Sequence, residues 1–102
     1  MSTGNQDPTT VDPNHYQVEF ENERVRVLRV SYGSGEESVM HSHPDLVAIF
    51  LTDAQVRFEF PDGSSDDAAG KAGDVMFMGP TTHRPVNTGS EPMRIVLVEL
   101  KS

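Results

Sequence analysis

Short apolar runs, separated by turn-forming residues, follow one another along most of the chain. In segment 55–60, Val56, Phe58 and Phe60 share one face of an extended strand while polar residues occupy the other. Apolar residues at three- and four-residue spacing are nowhere sustained long enough to predict a helix. The pattern instead predicts eight strands, at 16–21, 24–32, 38–43, 46–52, 55–60, 74–78, 83–87 and 93–100. Strands of this length and spacing predict an all-β sandwich or barrel.

Three segments depart from simple alternation. Segment 46–51 is apolar on both faces, which predicts a central strand or one covered by a partner subunit, and we therefore expect a homodimer. Segment 62–70 is rich in Ser, Asp and Gly and is interpreted as an exposed hairpin loop. Segment 1–13 is polar and contains two prolines, so we expect a flexible tail followed by a single domain over 14–102.

Composition narrows the possible functions. A chain of 102 residues is long enough for one modest core, and the absence of cysteine excludes disulfides, thiolate metal sites and cysteine nucleophiles. A net charge of −8 disfavours nucleic acid and anionic membrane surfaces as partners, so we expect neither. With no transmembrane run and no signal-peptide pattern in the sequence, the expected location is the cytoplasm.

The histidines are the candidate chemistry. His41 and His43 are two residues apart in a predicted strand, so both imidazoles project from the same face and can converge on one metal ion. His83 opens another predicted strand and can complete the site if the two strands lie together. An isolated His-x-His pair is more often structural or exposed than metal-binding, and that alternative stays open on the residues alone. His15 is expected to be exposed.

Two segments carry a family resemblance. Segment 35–43, a glycine followed by five residues and His-x-His, resembles the first cupin motif. Segment 73–87 is similar to the second, with a Gly-Asp turn, a Pro/Gly loop, and His83 followed four residues later by Asn87. The resemblance implies a double-stranded β-helix jelly roll with a metal bound by His41, His43 and His83. It also implies a structural role for Asn87 near the barrel mouth.

The acidic ligand of the first cupin motif is missing from this sequence. Its expected position holds Val47, or Ala48 if the spacing is four residues, and Asp45 or a water molecule are the alternative replacements. Three neutral imidazoles leave a divalent ion its full charge of +2, which favours an anionic substrate. The arrangement resembles the three-histidine iron sites of thiol, β-diketone and gentisate-type dioxygenases. Fe(II) is therefore the favoured metal, although nitrogen ligands also suit Ni, Zn, Mn or Cu.

The leading hypothesis is a three-histidine Fe(II) dioxygenase acting on a small anionic organic substrate. The alternatives are a non-redox metal-dependent isomerase, lyase or hydrolase, and a cupin that binds a small ligand without turnover. Val47, Ile49 and Leu51 are expected to face an apolar pocket. Arg57, Arg84 and Glu99 are interpreted as surface residues in salt bridges, so no catalytic residue beyond the ligands is identified.

Overall fold

The computed structural model describes residues 6–101, and within them the chain forms one helical turn and nine strands. The elements are α1 (Pro8–Val11), β1 (Tyr16–Glu21), β2 (Val25–Tyr32), β3 (His41–His43), β4 (Leu46–Phe50), β5 (Ala54–Glu59), β6 (Ser65–Gly70), β7 (Val75–Met78), β8 (Thr81–Asn87) and β9 (Met93–Leu100). Each of the eight predicted strands is present, some with shifted ends. The ninth, β6, lies in the segment that the sequence assigned to a hairpin loop.

The strands form two sheets in which all assigned neighbours are antiparallel. One has the order β1-β2-β9-β4-β7 and the other the order β3-β8-β5-β6. Strand β4 lies between β9 and β7, which confirms the interior position predicted from its apolar sequence. Strand β6 is polar, but its backbone pairs with β5 along its whole length.

The core lies between the inner faces of the strands. Its buried hydrophobic side chains are Tyr16, Leu28, Val30, Tyr32, Leu46, Ala48, Phe50, Ala54, Val56, Met93, Ile95 and Leu97. Alternate residues of β9 point inward, namely Met93, Ile95, Leu97 and also Glu99. One carboxylate therefore lies on the core face of an otherwise apolar strand.

Part of the segment predicted as a flexible tail forms regular structure. Pro8–Val11 forms a helical turn capped by Asp7, whose side chain accepts a hydrogen bond from the Thr9 backbone at 2.9 Å. Pro8 and Asp12 are buried. An N-cap aspartate followed by proline is a helix-start signal that favours this local structure. Residues 1–5 of the predicted tail lie outside the described residues.

The outer face of the five-stranded sheet is apolar along one row of cross-strand neighbours. The row runs through Phe20, Val27, Val98, Val47 and Phe77. The two phenylalanines at its ends are 52% and 62% exposed. In the described part of the chain, no helix is long and apolar enough to cross a membrane.

Candidate metal centre

Two neighbouring strands bring the three predicted histidines together. His41 and His43 project from the same face of β3, and His83 is the direct register partner of His41 on β8. The ring centroids are 4.8 Å apart for His41 and His43, 5.0 Å for His41 and His83, and 5.3 Å for His43 and His83. One potential ligand atom from each residue lies within 4.8 Å of the other two. All three side chains are buried.

The cluster contains ring nitrogens without partners. Nε2 of His41 and Nδ1 of His83 are buried and accept or donate no hydrogen bond within residues 6–101. An unpaired buried polar atom costs about 1 to 3 kcal/mol. Burial, reinforced by the neighbouring His43, lowers the pKa of His41 to about 4 and that of His83 to about 3. These rings are neutral near pH 7, the state that binds a metal, so the residues present fit a divalent cation.

A buried carboxylate orients the second ligand. Nδ1 of His43 lies 2.7 Å from Oε2 of Glu99, and only 4% of the Glu99 side chain is exposed. The Arg26 guanidinium donates to the other Glu99 oxygen through Nε at 2.9 Å. Because the Glu99 carboxylate holds the proton of His43 on Nδ1, Nε2 is left as the ligand atom. The prediction that Glu99 is a surface residue was therefore wrong.

Backbone and hydroxyl groups orient the first ligand. Nδ1 of His41 donates to the carbonyl of Val39 at 2.8 Å and lies 3.0 Å from Oγ of Ser38. The Ser38 hydroxyl in turn donates to Oδ2 of Asp12 at 2.6 Å. These contacts leave Nε2 of His41 for a metal, and it is one of the two unpartnered nitrogens.

A small apolar cavity adjoins the histidines. Its volume is about 80 Å³, and His43 and His83 form part of its wall together with residues of both sheets. The side chain of Phe58 stacks on His83 at a centroid distance of 4.9 Å. Other than histidine, the polar side chains in the wall belong to Tyr16 and Tyr32, whose hydroxyls are 2.7 Å apart. Burial raises the pKa of both tyrosines, so their hydroxyls stay protonated.

The cavity is lined by the opposite face of β4 from the one predicted. Leu46, Ala48 and Phe50 line it, whereas Val47 and Ile49 are only half-buried and Leu51 is exposed. A strand that is apolar on both faces carries no sequence signal for which face points inward. Ala48 therefore stands where the four-residue spacing places the acidic ligand.

The remaining residues singled out in the sequence lie outside the histidine cluster. Asp45 is exposed, and the histidine cluster found within residues 6–101 does not include it. Asn87 is buried and donates through Nδ2 to the carbonyls of Tyr32, Gly33 and Glu91, which confirms its structural role. Arg57 and Arg84 both pair with Glu59, as expected for surface salt bridges.

Comparisons with known proteins agree with this fold. No protein-family model and no curated protein matches the chain. Among solved structures, it is similar to a cupin domain from Bordetella pertussis, with a TM-score of 0.78 and 26% identity over 85% of this chain and 92% of the other. It is also similar to a Cupin 2 conserved barrel domain protein from Salinispora arenicola, with a TM-score of 0.66 and 22% identity over 90% and 80% of the two chains. An RmlC-like cupin family protein with a double-stranded β-helix fold from Methanocaldococcus jannaschii gives a TM-score of 0.63 and 16% identity over 87% and 83%.

The fold and the histidine cluster together define the class of protein. The chain has the fold of the cupin structures that it resembles, an all-β double-stranded β-helix, and it carries three clustered histidines beside an apolar cavity. Such a cluster in a cupin suggests a divalent metal ion.

Proposed function

We propose that His41, His43 and His83 bind a divalent metal ion and that, with Fe(II), the protein is a dioxygenase acting on a small anionic organic compound. The observation that carries the proposal is the buried cluster of three imidazoles, with Ala48 where a carboxylate ligand is expected. Bound Fe(II) supplies the redox change that reaction with oxygen requires and that zinc lacks.

The charges around the cluster favour an anionic substrate. Glu99 is the carboxylate in contact with a candidate ligand, and the Arg26 guanidinium pairs with it at 2.8 Å. The Glu99 and Asp7 carboxylates share the single positive charge of Arg26, and no carboxylate is among the three candidate ligands, so a bound divalent ion keeps a positive charge toward the cavity. An enolate or thiolate entering an apolar cavity therefore gains strongly from that charge.

The size of the cavity favours small substrates. Its volume of about 80 Å³ is roughly half that of an engineered core cavity that admits benzene. Short-chain β-dicarbonyls and thiols fit this space better than hydroxyaromatic acids do. The apolar wall also lowers the local dielectric constant, which strengthens the electrostatic attraction of the substrate to the site.

The groups in the cavity wall favour an oxygenase over a Lewis-acid isomerase or lyase. An isomerase or lyase moves protons and needs a general base within reach of the substrate. The wall offers the candidate ligands His43 and His83 and the protonated hydroxyls of Tyr16 and Tyr32. None of these is a free base when the metal is bound.

Oxygen uptake tests the proposed activity. We expect protein loaded anaerobically with Fe(II) to consume oxygen with at least one short-chain β-dicarbonyl or thiol, and more slowly with hydroxyaromatic acids. An oxygen electrode measures the rate, and zinc-loaded protein is the matched control because zinc binds without redox chemistry. Absence of uptake across the panel would contradict the oxygenase proposal, and turnover that persists without oxygen would favour the non-redox alternative.

We also propose that a second copy of the chain covers the outer face of the five-stranded sheet. The apolar row from Phe20 to Phe77 crosses all five strands, and large exposed apolar patches mark interaction sites. A two-fold interface brings the same surface of both copies together, so an apolar face can meet its own copy without charge complementarity.

Sedimentation tests the dimer. We expect a species of about 22.4 kDa, twice the chain mass of 11.2 kDa, at low micromolar concentration. Phe77→Glu should shift it to monomer, because dimerisation would bury the introduced charge in an apolar contact. Val39→Glu is the control, since Val39 is similarly exposed, at 53%, but lies on no strand of that sheet. A wild-type monomer would contradict the proposal.

A further inference from the structure

Residues 6–15, here called the N-terminal strap, reach the surroundings of the histidine cluster at three points. Asp12 contacts Ser38 beside His41, and Asp7 contacts Arg26 beside Glu99. The amide oxygen of Gln6 accepts a hydrogen bond from Ser42 at 2.9 Å, and Ser42 lies between the two candidate ligands on β3. The strap is thus attached on both sides of the His41-Ser42-His43 sequence.

The first chain of contacts leads from Asp12 to His41. Oδ2 of Asp12 accepts from the Ser38 hydroxyl at 2.6 Å, and the Ser38 oxygen lies 3.0 Å from Nδ1 of His41. Asp12 is also in contact with His15, whose Nδ1 lies 2.8 Å from Oδ2. His15 in turn stacks on Tyr32 with ring centroids 4.2 Å apart, so it is not the free surface residue that the sequence predicted. Asp12 is consequently held from two sides.

The second chain of contacts leads from Asp7 to His43. Arg26 donates to both Asp7 oxygens, through Nη1 at 2.8 Å and Nη2 at 3.2 Å. Its Nε donates to Glu99 at 2.9 Å, and Glu99 contacts Nδ1 of His43 at 2.7 Å. Bidentate pairing with Asp7 fixes the plane of the guanidinium, and the guanidinium fixes the carboxylate that orients His43.

Apart from these contacts, the strap is held by His15, which stacks on Tyr32 and contacts Glu36, and by the burial of Pro8. Its helix, Pro8–Val11, is four residues long, far below the length at which an isolated helix is stable. Pro8 is the one buried residue within that helix. The polar contacts that lead to the histidine cluster therefore contribute part of the free energy that docks the strap.

We infer that the N-terminal strap is part of the metal centre, with Asp12 and Asp7 as positioning residues for His41 and His43, and that metal binding and strap docking are energetically coupled. The inference rests on the proposed metal site. Partners of metal-bound histidines fix the tautomer and orientation of the ring, and their loss typically lowers metal affinity by about 10- to 100-fold. Because coupling is reciprocal, a metal ion that binds more tightly to the docked form also stabilises docking by the same factor.

Cobalt(II) binding tests the first half of the inference. Affinity is measured by competition with a chromophoric chelator, and the visible spectrum of bound Co(II) reports ligand geometry. Asp12→Asn is expected to weaken binding by about 10-fold or more and to alter the spectrum, with a smaller loss for Asp7→Asn, which acts through two further residues. Ser38→Ala should reproduce the Asp12→Asn loss without a change of charge.

Glu19→Gln is the matched control. It removes one carboxylate, as the aspartate variants do, but Glu19 pairs with Arg29 on the surface and has no contact with the cluster. Its Co(II) affinity should stay within about twofold of wild type. If the strap variants bind Co(II) as tightly as this control, the inference about the strap is overturned and the proposed metal site is unaffected. If the wild-type protein binds no Co(II), both proposals are overturned.

Hydrogen exchange on the wild-type protein tests the coupling between metal binding and docking of the strap. The amides of Thr10, Val11 and Asp12 donate to backbone carbonyls inside the strap, so their protection reports docking. Added Co(II) should slow their exchange by a factor similar to the affinity loss in Asp12→Asn. Exchange of these amides that is unchanged by saturating Co(II) would overturn the coupling.

Discussion

Replacing His83 with leucine is expected to weaken metal binding by more than about 100-fold and at the same time to stabilise the metal-free protein. The substitution removes one of the three candidate ligands, and this lowers metal affinity more than the loss of a residue that hydrogen-bonds to a ligand. His83 also contributes a buried nitrogen without a partner, and removing it should raise the free energy of unfolding by about 1 to 3 kcal/mol. Metal titration and urea unfolding in the presence of a chelator measure the two effects.

The substitution is informative because it should lower the metal affinity and raise the stability of the metal-free protein. Leu28→Met, a volume-conserving change at a fully buried position away from the cavity, is the control and should leave metal affinity unchanged. If the cluster is only structural, His83→Leu has no effect on metal binding. A large loss of stability in the chelator-treated variant would show that His83 serves the core.

The metal-free protein is expected to be unusually sensitive to mild acid. Burial, followed by the electrostatic effect of the neighbouring His43, lowers the pKa of His41 to about 4, and burial lowers that of His83 to about 3. In the unfolded chain both imidazoles have a pKa of about 6.5. As the pH falls below 6.5, the unfolded state takes up protons that the folded state does not, so stability decreases. Each imidazole contributes a slope of up to about 1.4 kcal/mol per pH unit until its folded pKa is reached.

The loss of stability in acid is checked by urea unfolding of chelator-treated protein over a range of about pH 7.5 to about pH 4. The two histidines together should remove a large part of the roughly 5 to 15 kcal/mol typical of a small domain. In His83→Leu, one of the two titrating groups is gone, and the slope should fall by about half. A pH-independent free energy of unfolding between pH 6.5 and pH 4 would contradict the burial of neutral imidazoles.

Strand positions were predictable from the sequence because most of the strands either alternate apolar and polar residues, with one face exposed to solvent, or are apolar throughout. Val56 and Phe58 alternate with polar residues, and the segment around Leu46 is apolar throughout. Strand β6 gave no such signal, because its sequence is Ser-Asp-Asp-Ala-Ala-Gly and its stability comes from backbone pairing with β5. The inward face of β4 was equally unpredictable, since both of its faces are apolar.

The candidate ligands were predictable, but their surroundings were only partly so. The spacing of His41 and His43 and the second motif at His83 were sufficient to assemble the cluster. The burial of Glu99 was predictable, because Glu99 alternates in step with the core residues Ile95 and Leu97 along β9 and so points to the same face. The helical turn of the strap was also predictable, because Asp7 followed by Pro8 is a helix-start signal. Its contacts with Arg26 and Ser38 join residues far apart in sequence, and no local pattern specifies them.

X-ray absorption of zinc-substituted protein, after titration to one ion per chain, tests whether the three histidines bind a metal ion together. We expect stoichiometric binding and a spectrum that fits three imidazole nitrogens at about 2.0 to 2.1 Å from zinc. His83→Leu should fail to retain the ion under the same conditions. Failure of the wild-type chain to bind one equivalent, or a spectrum with fewer than three imidazole ligands, would contradict the three-histidine metal centre.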